Sequence, residues 1–211
     1  MTPLVPQQVK TILCLGCHSD DIEIGCGGTV FKLLQENPDA RVVWAVLSTG
    51  NLTRHDEAIA SAEAFLAATT KQNILVEGFR DRYFPTQWEA IKDFIHHLAE
   101  QFQPDIVFTH RREDMHQDHR LVGELTWNAF RNHLICEYEI PKYEGDLGQP
   151  NLYVPLSKEV CTFKVDTLFD AFVSQQDKPW FTKETFWSLL RLRGLECHSP
   201  SGYAEAFASC F

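Results

Sequence analysis

Apolar residues along this chain fall into two alternating patterns. Continuous runs rich in Val, Ile and Leu occupy residues 10–17 (KTILCLGC), 41–49 (RVVWAVLST), 73–78 (NILVEG) and 105–109 (DIVFT). Short runs without a polar face predict strands covered on both sides, as in a parallel sheet. Between them the spacing becomes helical. Residues 29–35 follow Gly27-Gly28, residues 54–68 are rich in Ala and Glu, and Trp88, Ile91, Ile95, Leu98 and Phe102 recur at three- and four-residue steps before Pro104. Such strand–helix repetition predicts an α/β fold, a mostly parallel sheet with helices on both faces.

The pattern continues less cleanly beyond residue 109. Residues 117–133 read as a helix, 134–140 and 152–156 as strands joined by a Gly/Pro-containing loop at 141–150, and 161–166 as a further strand. Residues 168–175 and 184–192 read as helices. With 211 residues and no internal repeat or linker, one domain spanning 1–211 is the economical expectation.

Composition narrows the function classes. Hydrophobic residues make up 44% and charged residues 23%, as in ordinary globular proteins. The net charge of −10 argues against nucleic acid or anionic membranes as main partners, since phosphate binding relies on Lys and Arg. Residues 1–10 lack the apolar stretch of a signal peptide, and no run is long enough to span a membrane. The seven cysteines are scattered without C-x-x-C spacing, which fits a reducing cytoplasm rather than a disulfide framework.

In doubly wound sheets, ligands bind beyond the carboxyl ends of the strands. The first run ends in His18-Ser19-Asp20-Asp21, the second leads to Arg54, the third to Asp81 and Arg82, and the fourth to His110 and then Asp114-Met115-His116-Gln117-Asp118-His119. His18, Asp21 and His119 can supply two imidazoles and one carboxylate, a set that suits a catalytic zinc with an open position and also suits iron(II). Asp20 is placed as the base for a water, and His116, charged by contact with Asp118, as the group facing the oxyanion.

These residues carry a resemblance. His18-Ser19-Asp20-Asp21 followed by Glu23-Ile24-Gly25-Cys26-Gly27-Gly28 resembles the H-P-D-D-x-x-x-G-x-G-G opening of the PIG-L/LmbE-like deacetylases. The P-D-I-V-F-T-H run with His116-Gln117-Asp118-His119 resembles that family's second block, and the order of elements matches from about residue 11 to 122, with a weaker echo at 202–207. The resemblance implies a Rossmann-like, LmbE-like fold and zinc-dependent removal of an N-acetyl group from an amino sugar. It implies His18, Asp21 and His119 as zinc ligands, Asp20 as general base, and His116 with Asp118 as the oxyanion or acid group. Arg54 and Asp81 would face the substrate; Tyr203, in the terminal run, reads either as a substrate-facing residue or equally as packing. Ser19 and Gln117 stand where the family usually has proline, which removes no ligand. A homo-oligomer is compatible with the resemblance, and no sequence feature demands one.

Blander readings account for other residues. The glycines at 25, 27 and 28 suit a tight turn and close helix packing better than a dinucleotide loop, because His-Ser-Asp-Asp intervenes after the strand. His110 reads as a support for the site, His96-His97 as a solvated helix face and Arg82 as a surface charge. Two other functions stay open: hydrolysis of a different N-acyl substrate, such as a thiol-sugar conjugate or secondary metabolite, and a non-catalytic sugar- or nucleotide-binding module.

Overall fold

The computed structural model describes residues 8–209. Strands β1 (Thr11–Gly16), β2 (Arg41–Val46), β3 (Gln72–Val76), β4 (Ile106–His110) and β5 (Leu134–Tyr138) are parallel, and β6 (Leu152–Pro155) and β7 (Ala204–Ala208) complete the sheet. The order is β3-β2-β1-β4-β5-β7-β6, with β7 antiparallel to both neighbours. Helices α1 (Asp21–Glu36), α2 (Leu52–Phe65), α3 (Trp88–Phe102), α4 (Gln117–Ala129), α5 (Lys158–Ala171) and α6 (Lys183–Glu196) cover it.

Side chains alternate between two cores. Ile12 and Cys14 of β1, Trp44 of β2 and Phe108 of β4 pack under α1, α2, α5 and α6. Leu13 and Leu15, Val43 and Val107 point the other way, under α3 and α4. Both faces are apolar, which is why these strands read as unbroken runs rather than alternating ones. From β1 the chain steps outward to β2 and β3, then returns to place β4 on the other side of β1. The carboxyl ends of β1 and β4 therefore flank the point where strand order reverses, the usual ligand crevice of an open α/β sheet. Among the described residues, no helix is long and apolar enough to cross a membrane.

Four elements depart from the sequence expectation. Helix α1 begins at Asp21, not at residue 29, so its glycines lie inside the helix. A Cβ at Gly25 would come within 2.2 Å of the Tyr138 ring, and one at Gly27 within 2.7 Å of Phe65. The glycines thus let α1 sit tightly on its neighbours; the expected tight turn is absent. Residues 161–166 are helical rather than extended. Ser157 caps α5, and its buried residues Val160, Cys161, Lys164, Val165 and Leu168 follow three- and four-residue steps. The helix expected over 168–175 is broken at Phe172, before a short 3-10 turn. Strand β7, with the sequence AEAFA, was not foreseen, because Ala and Glu carry little strand preference and its pairing with β5 and β6 decides its state.

Candidate active site

The site forms where two helices start at neighbouring strand ends. After β1 the chain turns through His18, Ser19 and Asp20 into α1, whose first residue is Asp21. After β4, which ends in His110, a loop leads to His116 at the N-cap of α4 and to His119 in its first turn. Unsatisfied N–H groups and the helix dipole favour negative charge at such ends, which helps hold carboxylates there.

Three donor atoms from these segments converge. His18 Nδ1 lies 3.1 Å from His119 Nε2 and 3.3 Å from Asp21 Oδ2. His119 Nε2 lies 3.5 Å from Asp21 Oδ2. Donors bound tetrahedrally at about 2.0–2.1 Å would stand roughly 3.3 Å apart, so this triangle has the dimensions of a three-residue metal site.

The surrounding contacts aim the donors. His119 Nδ1 is 3.1 Å from Asp114 Oδ2. With that nitrogen protonated and donating to the carboxylate, Nε2 keeps its lone pair for the cluster. On the outer edge of His18, Nε2 is 3.0 Å from Asp81 Oδ1, which leaves Nδ1 facing inward. His110 is fully buried, with Nε2 3.2 Å from Asp21 Oδ2 and 3.1 Å from the Tyr138 hydroxyl. Cys17 also lies close enough to form, with Asp21, His110 and His119, an alternative donor group. His110 and His119 are stacked at 3.9 Å and 22°, so their ring planes run side by side, and both lone pairs cannot aim well at one ion between them. The triangle of His18, Asp21 and His119 is the better-directed set.

The electrostatics of the cluster favour a cation. Burial and the neighbouring His110 push the pKa of His119 down to about 3. Burial works against charge on His18 too, yet Asp21, Asp118 and Asp81 hold its pKa well above the usual imidazole range. Burial would raise Asp21, but His119, His110 and His18 keep it well below the ordinary carboxylate range. A neutral imidazole, an ionised carboxylate and a second imidazole drawn towards positive charge fit a divalent ion in both donor type and charge.

Beside the cluster, Arg54 Nη2 donates to Asp20 Oδ1 at 2.8 Å. The Arg54 backbone N–H is itself fixed by the Asn51 side chain at the start of α2, and its guanidinium lies over the Phe172 ring. His116 Nδ1 accepts the Asp118 backbone N–H at 3.3 Å, which leaves Nε2 to carry the ring proton. Burial and His18 lower the His116 pKa, so the ring is neutral near pH 7.

Two predicted roles are corrected. The Asp118 carboxylate does not hold the His116 ring. It accepts the backbone N–H groups of Arg82 at 2.7 Å and Phe84 at 3.2 Å, and its own exposure is 0%. Arg82 has φ +65°, a conformation rare outside glycine, and Asp118 fastens this bend so that Asp81 stands against His18. The Arg82 side chain is exposed and borders the cleft. Tyr203 does not line the cleft. It precedes β7, two strands beyond β4, and packs edge-on against Trp187 of α6 at 5.1 Å.

One cleft of about 530 Å³ is lined by His18, Asp20, Asp21, Arg54, Asp81, His116 and His119, seven of the nine predicted site residues. Its far walls carry Lys142, Tyr143 and Glu144 from the loop at 141–150 and Lys178 and Trp180 before α6. Sequence reasoning assigned no role to Asp114 or Lys142. The available signal for Asp114 was an acid five residues before His119; for Lys142 there was none.

The fold and the site define an α/β protein with a cluster of His and Asp side chains at its switch point, of the donor types that can hold a metal ion. The chain belongs to the PIG-L family, described as GlcNAc-PI de-N-acetylase, which matches residues 13–130. It is 30% identical over 174 residues to the uncharacterized deacetylase YaiS of Escherichia coli K12, covering 75% of this chain and 89% of that one. Its fold is similar to that of N,N'-diacetylchitobiose deacetylase from Pyrococcus horikoshii, with TM-score 0.74, 22% identity, and coverage of 96% and 84% of the two chains. It is also similar to the 4-carboxy-2-hydroxymuconate hydratase GalB from Pseudomonas putida KT2440, with TM-score 0.73, 16% identity, and coverage of 96% of each chain. One fold thus serves different reactions, and function has to be argued from the site.

Proposed function

We propose that this protein is a zinc-dependent deacetylase that removes an N-acetyl group from an amino sugar or glycoconjugate and releases acetate. The donor triangle of His18, Asp21 and His119, with the Arg54-held Asp20 beside it, carries this reading. Family membership and the deacetylases among its relatives support the reaction class.

His18 Nδ1, Asp21 Oδ2 and His119 Nε2 would hold the zinc. Bound there, it lowers the pKa of a water and polarises the amide carbonyl. Asp20 takes the proton of the attacking water, with Arg54 fixing the direction of its carboxylate. The neutral His116 presents Nε2–H to the oxygen that gains negative charge as the acetamide carbon becomes tetrahedral. The proton on Asp20 then goes to the leaving nitrogen as the C–N bond breaks, giving a free amine and acetate. Asp81, partly exposed on the cleft wall, is available to sugar hydroxyls as well as to His18.

The test pairs metal content with acetate release from N-acetylglucosamine compounds. The wild type is expected to hold about one zinc per chain, His119→Ala to lose zinc and activity together, and Asp20→Asn to keep zinc while losing roughly 10²–10⁴-fold in rate. A wild type that takes up no metal when supplied with it overturns the reading. Metal without acetate release redirects it to other N-acyl substrates.

A further inference from the structure

The loop at 141–150 forms a wall of the cleft, yet one of its side chains turns inward. Lys142 Nζ donates to Asp114 Oδ2 at 2.9 Å and to Asp146 Oδ1 at 2.7 Å, and its side chain is only 11% exposed. Asp114 Oδ2 is the same oxygen that faces His119 Nδ1, and Asp114 Oδ1 accepts the His116 backbone N–H at 2.8 Å. The second Asp146 oxygen accepts the Met115 N–H at 2.7 Å, and the Asp146 carbonyl accepts from Arg111 Nη1 at 2.7 Å. A single ammonium thus joins two buried carboxylates, one that aims a proposed metal ligand and one that anchors the loop.

We propose that Lys142 is a positioning residue, which fixes Asp114 against His119 and ties the substrate-facing loop to the metal site. This inference rests on the proposed metal reading. Two physical requirements support it. A buried carboxylate that holds a ligand imidazole needs its own partners to stay ionised and in place, and an ammonium between two carboxylates provides them. The connection also works in both directions. Whatever orders the loop through Tyr143 and Glu144 acts on Asp114, and whatever occupies the site at His119 acts on the loop.

Lys142→Met keeps the aliphatic stem and removes the charge, whereas Lys142→Arg keeps the charge and the reach to both carboxylates. Zinc affinity is measured for both by competition with a chromogenic chelator, with thermal melting of the metal-free proteins as a check on folding. Lys142→Met is expected to bind zinc about 10–100-fold more weakly, and Lys142→Arg to recover most of that loss. Asp146→Asn cuts the loop side of the same link. It is expected to raise KM for the N-acetyl substrate more than it lowers kcat, with a smaller change in zinc affinity. Unchanged zinc affinity in a folded Lys142→Met, with the wild type binding zinc, overturns the inference and leaves the metal reading intact. A wild type that binds no zinc defeats the metal reading itself. If Lys142→Met does not fold, Asp146→Asn decides: wild-type KM and wild-type zinc affinity in that folded variant remove the link, and a raised KM keeps it.

Discussion

Arg54 and Asp20 form an ion pair of 2.8 Å between the first turn of α2 and the N-cap position of α1. Both side chains are largely buried, at 11% and 7% exposure, so the pair fixes direction better than a solvated one would. Among the described residues Arg54 Nη1 is buried without a hydrogen-bond partner, and the residue lines the cleft. One guanidinium therefore directs the proposed base with one nitrogen, and the same residue forms part of the cleft wall. Arg54→Met is expected to lower kcat roughly 10²-fold, the scale of a misdirected catalytic group, and to raise KM, with zinc content unchanged. Steady-state kinetics and metal analysis on the same preparation check this. A change in KM alone would assign Arg54 to substrate binding only.

Packing beneath the site gives a second prediction. Gly25 sits where α1 touches the ring of Tyr138, whose hydroxyl donates to the Leu15 carbonyl and lies 3.1 Å from His110 Nε2. Alanine favours a helix by about 1 kcal/mol over glycine, but the added methyl must displace a fully buried ring. Overpacking costs typically 1–3 kcal/mol, so Gly25→Ala is expected to lower Tm despite the better helix former. Gly78, where a Cβ would meet nothing, is the control. Equal melting of the two alanine variants would remove the packing argument.

The legibility of this protein in its sequence follows from how local each signal is. Strands β1, β2 and β4 were readable because the continuous apolar runs reflect burial on both faces. The convergence of His18, Asp21 and His119 was readable because the switch-point rule turns strand ends into a site before side-chain positions are known. What failed depended on distant partners. The start of α1 was hidden by glycines whose purpose is Tyr138 and Phe65, and β7 by a composition that only its two neighbours make extended. The sequence pairing of His116 with Asp118 was sound as adjacency, but the Asp118 carboxylate turns to a loop 34–36 residues away. Lys142 meets Asp114 across 28 residues, a relationship no spacing rule contains.

The cysteines yield a chemical prediction. Cys14, Cys17, Cys26, Cys136 and Cys161 are free and buried, and Cys197 is partly exposed. Burial pushes the thiols of Cys136 and Cys161 up to about 12. At pH 8 only roughly one such thiol in 10⁴ is ionised, and the thiolate is the reactive form. Ellman's reagent is therefore expected to label Cys197 first among the described residues, and Cys136 and Cys161 only after denaturant is added. Mass-spectrometric mapping of the labelled sites checks this. Rapid labelling of Cys136 in the native protein would mean that β5 opens far more readily than its buried position implies.

Metal linkage gives the last prediction and the sharpest one for the site. His18 follows β1, His119 lies in α4, and the two are 101 residues apart in the chain. A metal held by both cross-links segments that the unfolded chain does not keep together, so it binds the native state selectively. A ligand present at 1,000 times its dissociation constant stabilises the native state by about 4 kcal/mol. Adding zinc to chelator-treated protein is thus expected to raise Tm by several degrees, and Asp21→Asn to abolish most of that rise. The direction also follows from charge. Against the effect of burial, His119, His110 and His18 hold the Asp21 carboxylate well below its ordinary range, so its ionised form stabilises the metal-free fold at neutral pH. Asp21→Asn should accordingly melt below the wild type when no metal is present, and further below it when zinc is added. If zinc raises the Tm of both proteins equally, the stabilising ion sits elsewhere and the triangle of His18, Asp21 and His119 is not its site.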